Sequence, residues 1–180
     1  MTGTRFIQLA GIAGTLAGLL MVAEIVRIQS QPLWVSSNDS TGSLWFLGSA
    51  TLVLLGVIGN AYAAPRSAPR SSRLALASVG LAVLSVPLML FGMSFEWSLL
   101  LIGSWLLLIS CMLGALHAIV ARPASRIPAT LLMLSAPVVP FMNTLDDRIW
   151  LLLPFALAWI FFGFSLATWR GMTGTHPAVH

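Results

Sequence analysis

The stretch SLLLIGSWLLLISCMLGALHAIV, residues 98–120, runs without a charged side chain. At about 1.5 Å per residue a helix of this length crosses a hydrocarbon layer about 30 Å thick. Its apolar run is continuous rather than alternating, which fits a membrane helix and not a barrel strand. Similar stretches lie on both sides, from about Phe6 to Val26, Leu44 to Ala64, Leu74 to Met93, Pro128 to Met142 and Ile149 to Trp169. All but the fifth of these six reach crossing length with no charge in their central turns. The fold class is therefore all-α: a polytopic integral membrane protein, a six-transmembrane-helix bundle in one domain over residues 1–170, followed by a flexible tail, 171–180.

Composition points the same way. With 58% hydrophobic and 8% charged residues and a mean hydropathy of +0.93, the chain has too little polar surface to coat a soluble globule of 180 residues. The formal charge of +4 would suggest nucleic acid in a soluble chain. Here the arginines sit in short loops beside apolar spans, without aromatic interleaving, so no nucleic-acid partner is expected and the lipid bilayer is the expected surroundings.

Orientation follows from the charges in each connection. Arg5, Arg66, Arg70, Arg73, Arg122, Arg126 and Arg170 fall on one side of the spans, while Arg27, Arg148 and all the acids, Glu24, Asp39, Glu96, Asp146 and Asp147, fall on the other. The positive-inside rule then puts both termini in the cytoplasm of a cell-membrane protein, as an even number of crossings requires. The first span is read as a retained helix, because its apolar run ends in Glu24-Ile25-Val26 with no small-x-small cleavage site.

The connections give the coarse architecture. Ser94 to Trp97 is so short that the third and fourth helices must form an antiparallel hairpin, and Asn143 to Arg148 does nearly the same for the fifth and sixth. Ile28 to Ser43 reads as an irregular loop in which Leu33-Trp34-Val35 dips into the interface, and Pro65 to Arg70 as a stiff solvated linker.

Three patterns bear on function. Ala10, Gly14 and Gly18 on the first span, and Ser110, Gly114 and Ala118 on the fourth, recur every four residues and let another backbone approach closely. They mark either a face for another membrane protein or a second copy, or packing within one bundle, and internal packing is the favoured reading. In the fifth span Pro137 and Pro140 either break the helix toward a cavity or form the exit turn of a short helix beginning at Ser125 or Arg126; the second is favoured. Finally, Glu24, Arg27, Asp39, Glu96, Asp146 and Asp147, at the level of Trp34, Trp45, Trp97 and Trp150, form a candidate site on the outer face for a cation or organic amine. The plainer reading is an aromatic belt with loop charges, and a Glu24–Arg27 pair one turn apart.

Chemistry-bearing residues are sparse. His117 has no second histidine in any span, Cys111 has no partner cysteine, and the chain contains no lysine for a Schiff base. No metal, cofactor or catalytic constellation is expected from such a set. Two functions remain. The first is a non-enzymatic bundle acting through contact with another membrane subunit or protein. The second is a small oligomeric transporter or channel for a cation or small solute. Contact is the preferred expectation, since the central turns carry mainly Ser, Thr and Gly rather than the ionisable groups of a coupled transporter.

Overall fold

The computed structural model of the protein describes residues 3–30, 40–63, 69–122, 125–141 and 147–168. All of its elements are helical. They are α1 (Gly3–Ser30), α2 (Ser40–Tyr62), α3 (Pro69–Ser94), α4 (Trp97–Ala121), α5 (Arg126–Ser135) and α6 (Leu152–Ala167). A 3-10 stretch, Ala136–Phe141, extends α5, and another, Asp147–Leu151, leads into α6. Five helices are long and apolar enough to cross a membrane, namely α1, α2, α3, α4 and α6 with the last turn leading into it. The stretch Arg126–Phe141 is apolar and shorter.

Proline placement explains several boundaries. Pro69 opens α3, while Pro128 and Pro154 fall in the first turns of α5 and α6, where the missing N–H has no intrahelical acceptor in any case. Pro87 is the exception, and α3 runs through it. At the other end of α5 the helix tightens into 3-10 geometry at Ala136, immediately before Pro137, and Pro140 lies inside that segment. The α-helix thus runs from Arg126 to Ser135, and both prolines lie in the 3-10 segment that follows it.

Each helix packs on its neighbour in sequence, and α6 closes the ring against α1. Neighbours run antiparallel: Phe6 meets Tyr62 edge to face with ring centroids 5.2 Å apart, and Ala10 meets Gly59 between α1 and α2. The hairpin of α3 and α4 turns between Ser94 and Trp97, with Gly92 against Leu100 and Gly103 against Met89. One end of the ring therefore carries Arg5, Arg73, Arg122 and Arg126, and the opposite end Glu24, Arg27 and Glu96; these are called the arginine end and the acid end below. The loop Leu33-Trp34-Val35, the linker 65–68 and the tail lie outside the described residues.

Glycine decides the closest contacts. A Cβ on Gly163 of α6 would stand 2.7 Å from the backbone oxygen of Gly11 and nearer still to the backbone nitrogen of Thr15. Gly14 of α1 and Gly56 of α2 both face the indole of Trp159, which is completely buried. Hydroxyls inside the helices return to their own backbone, as Thr15 does to Gly11 O at 3.1 Å and Ser104 to Leu100 O at 2.8 Å, so that they remain satisfied in an apolar setting.

Replacing Gly163 by Val is expected to separate α1 from α6 and lower stability by about 1–3 kcal/mol, because backbone atoms cannot move aside. Gly80, with open space around it, supplies the contrast: Gly80→Ala should be neutral or stabilising by about 0.5–1 kcal/mol. Unfolding by titration with sodium dodecyl sulfate measures both.

Candidate functional site

A cluster of buried polar residues lies toward the arginine end, where Asn60 of α2 and Arg122 after α4 reach Phe162 of α6. Asn60, in the last turn of α2 and 2% exposed, donates from Nδ2 to the carbonyl of Gly114 on α4 at 2.8 Å. Gly114 leaves room for this contact, since a Cβ there would lie 3.4 Å from the same Nδ2 and 2.9 Å from the hydroxyl of Ser78. One turn deeper, Ser78 of α3 donates to Ser110 O at 2.8 Å and Ser110 donates back to Ser78 O at 2.7 Å. The pair clasps α3 to α4 with each hydroxyl satisfied.

Arg122 completes the cluster. It follows the last residue of α4, its own N–H bonding to Ala118 O at 2.9 Å. Side chains of a helix lean toward its N-terminus, and this one runs back into the bundle instead of out to water. Only 5% of the residue is exposed. Its Nη2 donates to Asn60 Oδ1, and its guanidinium carbon lies 5.9 Å from the centroid of the Phe162 ring of α6, within cation–π range. A guanidinium carries five N–H donors. Of these, the one on Nε and the two on Nη1 are buried without an acceptor among the described residues. Burial pulls the group down to about 10, so it keeps its charge at neutral pH. Among the described residues no carboxylate lies within ion-pair distance of it; the ion pair found there joins Arg27 to Glu24.

The start of α5 borders this cluster. Ser125 is buried, donates its N–H to Arg122 O at 3.1 Å, and accepts from Ser165 of α6 at 3.3 Å. Ser165 follows Phe162 by three residues, on the same face of α6. His117 on α4 is also fully buried, but no group of three His, Cys, Asp or Glu side chains comes together among the described residues.

The residues expected at the acid end are arranged differently. Arg27 holds Glu24 with two bonds, Nε to Oε2 at 2.8 Å and Nη2 to Oε1 at 2.7 Å. Glu96 is exposed and accepts from Ser98 two residues on at 2.9 Å. Asp39 and Asp146 lie outside the described residues, as does the side chain of Asp147, whose backbone begins the 3-10 turn before α6. The described acids are thus engaged within their own segments.

Both small-residue strips face inward. Ala10 meets Gly59, Gly14 meets Trp159, and Gly18 meets Ala156 and Ile160, while Ser110, Gly114 and Ala118 are buried against α2 and α3. Near Pro137, an open groove of about 380 Å³ between α5 and α6 is lined by Leu131, Leu134, Val138, Pro154, Leu157 and Phe161. Its one hydroxyl, that of Ser135, donates to Leu132 O at 3.2 Å.

Asn60 and Arg122 were the residues that reading the chain passed over. A single strongly polar amide in an otherwise apolar span is the signal that would have marked Asn60, because such amides bond across helices. Arg122 carried no such signal beside six other loop arginines. No family model, curated protein or solved structure matches the chain.

Removing Asn60 while keeping Arg122 leaves the buried guanidinium with no neutral partner. Asn60→Leu should cost about 3 kcal/mol, and adding Arg122→Met should restore part of it, giving a coupling of about 1–2 kcal/mol in a double-mutant cycle. Additive losses in that cycle would show that the two side chains do not support each other.

Proposed function

We propose that the chain is a cell-membrane protein with six crossings and both termini in the cytoplasm, and that it acts by contact with another membrane component rather than by covalent chemistry. Support for a sixth crossing comes from the 3-10 extension of α5. A 3-10 helix rises about 2.0 Å per residue against about 1.5 Å for an α-helix, so Arg126–Phe141 spans about 27 Å, close to the hydrocarbon thickness. The orientation rests on the gathering of arginines at one end.

The observation that carries the contact role is the guanidinium of Arg122. An ionisable group held among membrane helices is costly, and a fold retains one where it recognises something. This group is buried at the arginine end with three N–H donors unmet among the described residues, and its chemistry selects an anionic partner. The small-residue strips, taken up inside the bundle, leave that end as the place of contact. A transporter for cations is disfavoured by the same fixed positive charge, so a transport reading narrows to anions.

Two measurements test the proposal. In a Cys111→Ser background, Ser67→Cys should react with a membrane-impermeant maleimide only from the cytoplasmic side and Ser37→Cys only from outside; the reverse pattern inverts the topology. Proteoliposomes of the wild-type chain should show no saturable phosphate, sulfate or acetate flux above empty vesicles. Flux that disappears in Arg122→Gln would replace contact by anion transport.

A further inference from the structure

We infer that Arg122, held by Asn60 and the face of Phe162, is the receptor for a phosphate-type oxyanion at the arginine end of the bundle. The inference rests on the contact reading above and gives it a ligand class. It starts from an imbalance in the cluster: one neutral amide oxygen and one aromatic face are all that meet the cation among the described residues. The Nε and Nη1 donors are buried, so exposure to water does not compensate for them. Planar N–H donors of this kind are satisfied best by an anion presenting two or more oxygens, through short charge-assisted bonds.

The surroundings favour phosphate. Ser125, whose N–H bonds to Arg122 O, and Ser165, which donates to the Ser125 hydroxyl, add polar groups at the same end of the bundle. Arg126 brings a second, exposed guanidinium to the same rim four residues along. Basic sites between membrane helices at the cytoplasmic face hold phospholipid headgroups, which are present there at high local concentration. Because the donors are closed to water, the anion meets them when the Arg122 side chain, which lies beyond the last residue of α4, swings from Asn60 and Phe162 toward the rim, a motion that needs no rearrangement of helices.

The test compares thermal unfolding in phosphatidylcholine nanodiscs, in the same discs with inorganic phosphate or with acetate at ionic strength matched by chloride, and in discs containing phosphatidylglycerol. Wild type should gain on the order of 5 °C in melting temperature from phosphatidylglycerol, from phosphate or from both. A gain from the lipid alone assigns a headgroup; a gain from phosphate as well assigns the free anion. Arg122→Gln should lose the gain, whereas Arg73→Gln, at an exposed arginine, should keep it. If Arg122→Gln does not fold, Asn60→Asp decides, since an internal carboxylate beside Arg122 should abolish the response. No gain in any arm, a gain retained by Arg122→Gln or by Asn60→Asp, or an equal gain from acetate overturns the phosphate assignment. Nanodiscs expose both faces, so such a failure leaves the topology standing and removes the ligand alone.

Discussion

Lipid gives apolar helices no hydrophobic reason to associate, so helices long and apolar enough to cross a membrane depend on how closely their backbones approach. Here the approach is set by α1. Gly11 lies against Gly163 and Ala167, Gly18 against Ala156 and Ile160, and Gly14 against Trp159, while Ala10 meets Gly59 of α2. Each contact brings backbone or Cβ atoms together where a larger side chain would hold them apart. The indole of Trp159 then fills the space that Gly14 and Gly56 leave, joining three helices through one buried ring. Ring closure of α6 on α1 follows, and with it the convergence of α2, α4 and α6.

That convergence creates the polar cluster. Once α2 lies beside α4 at Gly114, the amide of Asn60 reaches a carbonyl that a side chain would otherwise cover. Its remaining oxygen faces the end of α4, where Arg122 turns inward. A buried cation without a carboxylate costs several kcal/mol, part of which the amide dipole and the Phe162 face offset. The deficit that remains is local, and it lies in the edge of the guanidinium, not in the helices around it.

The all-helical class and the five long apolar helices were legible because they rest on local properties. Continuous apolarity marks the spans, the two residues between Ser94 and Trp97 force a hairpin, and Pro137 with Pro140 ends α5. The two prolines mark where α5 gives way, but not that the chain continues beyond them as a 3-10 helix. The cluster was hidden for a different reason. Counting charges by loop treats Arg122 as equivalent to Arg66 or Arg170, whereas its burial depends on Asn60, 62 residues away. The acids drew attention because they share one end. Glu24, paired within its own turn, shows that a shared end is not a shared site.

The two ends consequently differ in what they offer another molecule. Glu24 and Arg27 cancel each other over less than 3 Å, leaving a short-range dipole whose two bonds already occupy both carboxylate oxygens. A ligand there would have to break a formed pair. Arg122 presents the opposite case, a full charge whose field is not cancelled by a carboxylate among the described residues and is weakly screened because the group is buried. Lowered to about 10, the guanidinium cannot relieve its burial by losing a proton near neutrality. Neutralisation has to come from outside the described cluster, and this is the physical ground for proposing the arginine end, rather than the acid-rich one, as the place of contact.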